Sequence, residues 1–363
     1  MTLQAKTTHL RIIWAIVHKD MLDAIKNKTI LTTLLSVLFV VVAYYLLPSL
    51  GDGERLPRLA LYDAGDSHVV TRLESSDAFD LVDLPSLAAL EDYLGDQDHP
   101  TLGVTLPADL DQHTAPGQAL QLDGYIIHWL TPDAVTETRT FFETQLTALV
   151  GRPVRIDLAG HTLYTDADST GRVFLAAAGM VITMTMLGLF VTPHLMLEEK
   201  ESRTMDALLV SPANTYHVIA GKALAGLCYC LLAIAAPLAL NHALITHWGL
   251  ALLVALSGTL VTVGLGLLIG SLASAKQQIT LWTSIFVQIL LFPMFLSLMD
   301  DLLPQGLIAA MRWIPTVAMS RALRWSFSQR VPAGPLGLEL ARVLGSAALV
   351  LAVLAWHLRR SEQ

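Results

Sequence analysis

Between Lys222 and Lys276 the chain runs from Ala223 to Ala275, 53 residues, without a single Asp, Glu, Lys or Arg. A bilayer's hydrocarbon core takes about 20 predominantly apolar residues per helix. The run therefore holds two membrane spans, divided at the polar turn of Asn241, His242, His247, Trp248 and Gly249. Backbone inside a bilayer must satisfy its own hydrogen bonds, and a helix does so segment by segment. Three further uncharged stretches have spanning length: Thr29 to Gly51, Val173 to Leu197 and Gln277 to Met299. A sixth, Val343 to Leu358, has only 16 uncharged residues. Its helix must begin near Leu336 and carry Glu339 and Arg342 close to its outer end, where the i, i+3 pair neutralises itself. Charged residues make up 15% of the 363, against about 25% in an ordinary soluble domain. The expected fold is an α-helical polytopic membrane protein with six transmembrane helices.

Basic residues set the orientation. With the N-terminus inside, Lys6, Arg11, Lys19, Lys26, Lys28, Lys200, Arg203, Lys222, Lys276, Arg359 and Arg360 fall in the cytoplasm, including all seven lysines of the chain. This follows the positive-inside rule, and six spans bring both termini to the cytoplasmic side of an inner or plasma membrane. No cleavable signal is expected, because the first span, 29–49, lacks a small-residue cleavage site and is preceded by a helix. That helix, within 1–28, places Leu10, Ile13, Trp14, Val17, Met21 and Ile25 at helical spacing, with Arg11, His18, Lys19, Asp20 and Lys26 on other faces. The pattern is that of an amphipathic helix lying on the membrane surface or packed on the cytoplasmic side.

Residues 50–172 have a different composition. From Gly51 to Arg172 there are 21 acidic and 7 basic residues, a net of −14 against −8 for the whole chain. Such acidity argues against nucleic acid or anionic lipid as a ligand of this segment. RLALYD, FDLVDL and LGVTL read as strands, and SHVVTRLESS and SLAALEDYLG as helices, which predicts a small external α/β domain with a mixed sheet. A longer helix is expected from Pro132 to Val150, with Pro132 in its first turn and Gly151 at its end. His99, His113, His128 and His161 lack metal-ligand spacing. Cys228 and Cys230, both in the third span, read as core residues rather than a disulfide or metal pair.

The remaining spans, within 173–363, carry patterned features. In the fourth, Gly258, Thr262, Gly266 and Gly270 are small residues at consecutive steps of four, a helix-packing or dimer face. The fifth carries Gln277, Gln278, Thr280, Thr283, Ser284 and Gln288 before Pro293. Ser284 and Gln288 are candidates for lining a translocation path or for bonding to neighbouring helices. The stretch 302–330 is too charged for two spans and too apolar for an open loop. It is expected to form outer re-entrant or interfacial helices broken at Pro304 and Pro315, with Arg321 and Arg324 at headgroup level, or a structural plug against the spans.

The loop 194–217 is the most distinctive segment. Glu198, Glu199, Lys200, Glu201 and Arg203 make a dense mixed-charge turn, Met205, Leu208 and Leu209 share one helical face, and Pro212 stops the helix. A short amphipathic helix held at both ends by spans transmits force between a cytoplasmic partner and the membrane. The wording of this loop, EKESRTMDALLVSP followed by VIAGK, resembles that of ABC-2 permeases, the membrane subunits of ATP-binding-cassette transporters. The match falls on Glu199, Lys200, Glu201, Thr204, Leu208, Leu209, Ser211, Pro212, Gly221 and Lys222, with departures at Ser202 and Arg203. WIPTVAMSRALR resembles the family's outer motif, with isoleucine where asparagine usually precedes the proline. The large external domain resembles that of the drug-efflux and sodium-extrusion branches.

The resemblance implies a permease dimer, with a second copy or a paralogue, bound to two ABC ATPase subunits that grip the loop from Glu198 to Pro212. No Gly-x4-Gly-Lys-Ser/Thr phosphate loop occurs in the chain, so ATP and Mg belong to the partner and no cofactor is expected here. Export of a hydrophobic or amphipathic compound is the expected function. The alternatives are a permease extruding sodium or another cation, and a membrane-anchored envelope receptor or scaffold without transport. No nucleic-acid partner is expected.

Overall fold

The computed structural model describes residues 3–26, 56–201 apart from 66, 98, 109, 111–118 and 170, and 215–361, with Lys28, Leu31, Thr32, Leu35, Ser36 and Phe39 between the first two stretches. The expected first span lies outside the described residues except for those six. They are helical, and Thr32 Oγ1 and Ser36 Oγ donate to the carbonyls of Lys28 and Thr32 four residues back, at 2.6 and 2.7 Å.

Helix α1 spans Leu3–Lys26. A three-layer α/β domain follows, built from β1 (Arg58–Asp63), α2 (Val69–Glu74), β2 (Asp80–Asp83), α3 (Leu87–Gly95), β3 (Thr101–Leu106), β4 (Leu120–Ile127), α4 (Pro132–Val150), β5 (Val154–Asp157) and β6 (Thr162–Leu163). Its sheet has the order β2-β1-β3-β4-β5, with β6 pairing β4. Only β3 and β4 run antiparallel, so the sheet is mixed. Leu59, Leu61, Leu102 and Val104 turn to one face, against Leu73 of α2 and Phe142 and Leu146 of α4. Ala60 and Tyr125 turn to the other, against Leu90 and Leu94 of α3. This is the period-two alternation that a strand dictates. Helix ends follow from their residues: Ser86 Oγ accepts from the Ala89 N–H, Thr131 Oγ1 accepts from the Ala134 N–H ahead of Pro132, and Gly151 closes α4 at φ 77°.

The rest is a helical bundle: α5 (Arg172–Glu201), α6 (Thr215–Leu240), α7 (Trp248–Leu272), α8 (Lys276–Leu296), a 3-10 turn (Ser297–Leu302), α9 (Gln305–Met311), α10 (Pro315–Trp325) and α11 (Ala333–Ser361). Five of these, α5, α6, α7, α8 and α11, are long and apolar enough to cross a membrane, so the protein is a polytopic membrane protein. The uncharged 53-residue run divides between α6 and α7, with the break after Leu240. α5 and α7 form the centre, 72% and 67% buried along their apolar windows, whereas α11 at 22% lies at the periphery.

α10 is a packed element of the bundle. It packs against α5, α7, α8 and α11, and Thr316 to Leu323 are buried apart from Arg321. Its two arginines find partners in protein, because a buried guanidinium is costly unless paired. Arg321 Nε lies 3.1 Å from Glu339 Oε1, to which Arg342 Nη1 also comes within 2.9 Å. Arg324 lies 3.8 Å from Asp168 and 5.9 Å above the Phe174 ring.

Candidate functional site

The segment that carries the sequence motif joins α5 to α6 in the chain. Glu198, Glu199, Lys200 and Glu201 occupy the last turn of α5, while Arg203, Thr204, Met205, Leu208, Leu209, Ser211 and Pro212 lie outside the described residues. What the structure describes is the socket to which the loop is tied. Gly221 sits on α6 where α1 crosses it: a side chain there would stand 2.6 Å from Ile16 Cγ2, so only glycine admits this approach. One residue on, Lys222 turns inward and is almost wholly buried. Its Nζ donates to the Leu195 carbonyl of α5 at 2.6 Å and lies 3.4 Å from Asp20 Oδ2 of α1. Tyr229 Oη, also on α6, donates to the backbone carbonyl of Asp20 at 3.0 Å. Three helices thus converge on one ammonium group.

This geometry corrects the face of α1 on which Asp20 lies. Its inward face is Ile13, Ile16, Val17, Asp20 and Met21, and Trp14, part of the expected stripe, stands 64% exposed. The missing side chain at Gly221 draws Ile16 in, and Lys222 draws Asp20 after it. Asp20 had been placed on a polar face. A carboxylate at i+3, i+4 and i+7 from Val17, Ile16 and Ile13 was the signal available in the sequence.

Above the socket the central helices are in near contact. Pro193 has no N–H and leaves the Leu189 carbonyl without its helical donor. Thr283 Oγ1 of α8 supplies one at 3.2 Å. Gly188 of α5 faces Thr262 of α7, and Gly266 faces the Gly188 carbonyl, with no room at either position for a Cβ. A Cβ at Gly270 would stand 2.8 Å from the Pro193 carbonyl and one at Gly258 3.0 Å from Met319 Sδ. The stripe of small residues therefore faces α5 and α10 of the same chain. Ser284 and Gln288 are exposed on α8; Ser284 Oγ donates to the Thr280 carbonyl at 2.8 Å, and Thr280, Ser284 and Gln288 form a polar seam beside Leu281, Ile285 and Ile289.

At the opposite end the α/β domain is seated on the bundle. Ile126, Ile127, Trp129 and Leu130 join the apolar cluster of Phe174, Ala177 and Leu244. Arg172 stacks over the Trp129 ring at 4.2 Å. Asp96, at the end of α3, accepts from Ser169 Oγ and from the Gly171 N–H, 2.6 and 3.2 Å away, just before α5 begins. His128 Nε2 donates to the Leu244 carbonyl at 3.3 Å while its ring stacks on Tyr164. Burial holds its imidazole below the usual 6.5, partly countered by that hydrogen bond.

The sequence model of the ABC-2 family transporter protein matches residues 28–357, from the expected first span through α11. The chain belongs to the ABC-2 transporter family. No curated protein and no solved structure matches it. As an ABC-2 permease it is a membrane component of a transporter without a nucleotide-binding domain of its own. The Gly-Lys pair that follows the loop thereby acquires a physical role: glycine for the crossing of α1, lysine for the tie to α1 and α5.

Proposed function

We propose that this ABC-2 permease is the membrane subunit of an ATP-driven exporter of a hydrophobic or amphipathic compound, with ATP and Mg held by a separate ABC ATPase. Residues 29–49 supply a sixth span, both termini are cytoplasmic, and the α/β domain is external. The observation that carries this reading is the socket: the segment 198–212 is attached at both ends to helices that Lys222 ties to α1, so a pull on the loop loads α5, α6 and α1 together. Glu198 to Pro212 are the residues that dock on the ATPase. The exposed seam of Thr280, Ser284 and Gln288 supports a second permease copy or paralogue, since an amide facing hydrocarbon within a span is unfavourable. Cation extrusion is less well supported, because Glu339, an acid buried among the spans, is held by two guanidiniums that repel a cation.

The test is pull-down of the solubilised chain from its own cell, followed by reconstitution with the ATPase that accompanies it. Glu199→Lys with Glu201→Lys is expected to abolish permease-stimulated ATP hydrolysis and export while leaving membrane insertion intact. Undiminished transport by that variant, or a chain that purifies with no ATPase, overturns the reading.

A further inference from the structure

A deep concavity lies in the α/β domain, where the N-terminal ends of β1 and β2 meet α2 and α4. It has a volume of about 1050 Å³, at the upper end of the roughly 300–1,000 Å³ typical of small-molecule pockets. Its floor is aromatic. Phe79 and Phe142 are buried with rings 5.6 Å apart, and Phe141, 5.1 Å from Phe142, is partly exposed on the wall. Its rim is acidic. Glu74, Asp77 and Glu137 line it, and no ion pair or hydrogen bond engages their carboxylates among the described residues. A fourth acid, Asp80, is neutralised by Arg58 at 3.0 Å. The domain around the cleft adds to the field, with its net charge of −14 from Gly51 to Arg172.

From this geometry we infer that the cleft binds a small amphipathic organic cation, its apolar body on the phenylalanines and its charge among Glu74, Asp77 and Glu137. An aromatic wall beside unpaired carboxylates stabilises a weakly hydrated cation twice, through the ring face and through the carboxylate charge. An anion or a neutral polar ligand gains neither. An extended peptide is disfavoured, because the edge strand β2 is only 4 residues long and begins and ends with aspartate, features that discourage strand addition. The cleft also adjoins the bundle: Ala134 lines it and packs against the apolar cluster at that end of the spans. Binding here requires no ATPase, so the inference stands apart from the export reading and is tested without it.

The experiment is equilibrium binding of radiolabelled tetraphenylphosphonium to the full-length chain, captured in a neutral detergent, with tetraphenylborate as a probe of the same shape and opposite charge. Saturable binding of the cation is expected, weakening as salt is raised, with none of the borate beyond its micelle background. Glu74→Gln/Asp77→Asn/Glu137→Gln together, and Phe141→Ala alone, are each expected to weaken cation binding about tenfold or more. Asp83→Asn/Glu91→Gln/Asp92→Asn, which removes equal charge from elsewhere on the domain, is expected to leave it unchanged. Unaltered thermal unfolding of the cleft variants confirms that the fold is intact. Equal saturable binding of the borate, equal losses in both triple variants, or cation binding that survives the cleft substitutions overturns the assignment.

Discussion

Substitution of Lys222 by methionine keeps the length and apolar stem of the side chain and deletes only its charge. Lys222 Nζ and Asp20 Oδ2 are 3.4 Å apart with both side chains nearly enclosed, 2% and 6% exposed. At that separation and an effective dielectric constant of about 20, their Coulomb attraction is about 5 kcal/mol. Removing the lysine relieves its own desolvation but takes the countercharge at 3.4 Å from the buried Asp20 carboxylate, and breaking a buried pair in this way costs about 3–5 kcal/mol. Lys222→Met is therefore expected to lower stability by an amount in that range, as is Asp20→Leu alone. The double variant removes both desolvation penalties and is expected to recover most of the loss, so the two losses do not add. Reversible unfolding in mixed micelles titrated with dodecyl sulfate, followed by tryptophan fluorescence, measures all three. A single-variant loss under about 1 kcal/mol, or losses that simply sum in the double variant, refutes the claim that the pair holds α1 to α6.

Two further predictions concern other parts of the fold. Gly266→Ala places a methyl group against the Gly188 carbonyl and is expected to destabilise the bundle by about 1–3 kcal/mol through overpacking; Gly345→Ala, where nothing lies within 4 Å, serves as the control, and equal melting temperatures for the two variants contradict the close α5–α7 contact. His128 is held neutral by burial below its usual 6.5, so the folded chain binds fewer protons than the unfolded one under mildly acidic conditions. The stability it permits is complete above about pH 6.5 and is lost as the pH falls through that value toward the depressed folded-state one. His128→Gln is expected to flatten this part of the thermal stability profile, and parallel profiles for the two proteins exclude His128 as the source.

Five of the six expected spans, α5 to α8 and α11, were legible because absence of charge over 20 or so residues is a local property with one physical explanation. β1 and the boundaries of α4 were equally legible, since alternation, proline and a terminal glycine act within a few positions. β4 was not read as a strand. Its Asp123-Gly124 pair has the composition of a turn, yet Gly124 is there because Ile156 and Leu158 from the segment around β5 occupy the space where a Cβ would stand. The partners of the α10 arginines were illegible for a similar reason. The two arginines advertise a surface until Glu339 and Asp168 are brought to them by chain 18 and 156 positions away. Asp20 finds Lys222 across 202 positions. Buried charge was the systematic failure, because pairing over such distances leaves no trace in local pattern.

These long-range ties bear most directly on α5. Asp96 fixes its beginning to the α/β domain, Thr283 satisfies the carbonyl that Pro193 strands, Gly188 and Thr262 bring it against α7, and Lys222 grips its last turns through Leu195. A helix held at so many points along its length moves as a unit, since bending it would break several of these contacts together. Its two ends carry the segment proposed to meet the ATPase and the domain that holds the acidic cleft. Under the exporter reading α5 is thus the element through which events at the loop reach the α/β domain. Thr283→Val tests it: loss of the bridging hydroxyl should soften the helix at Pro193 and uncouple export from ATP hydrolysis while leaving cation binding in the cleft unchanged.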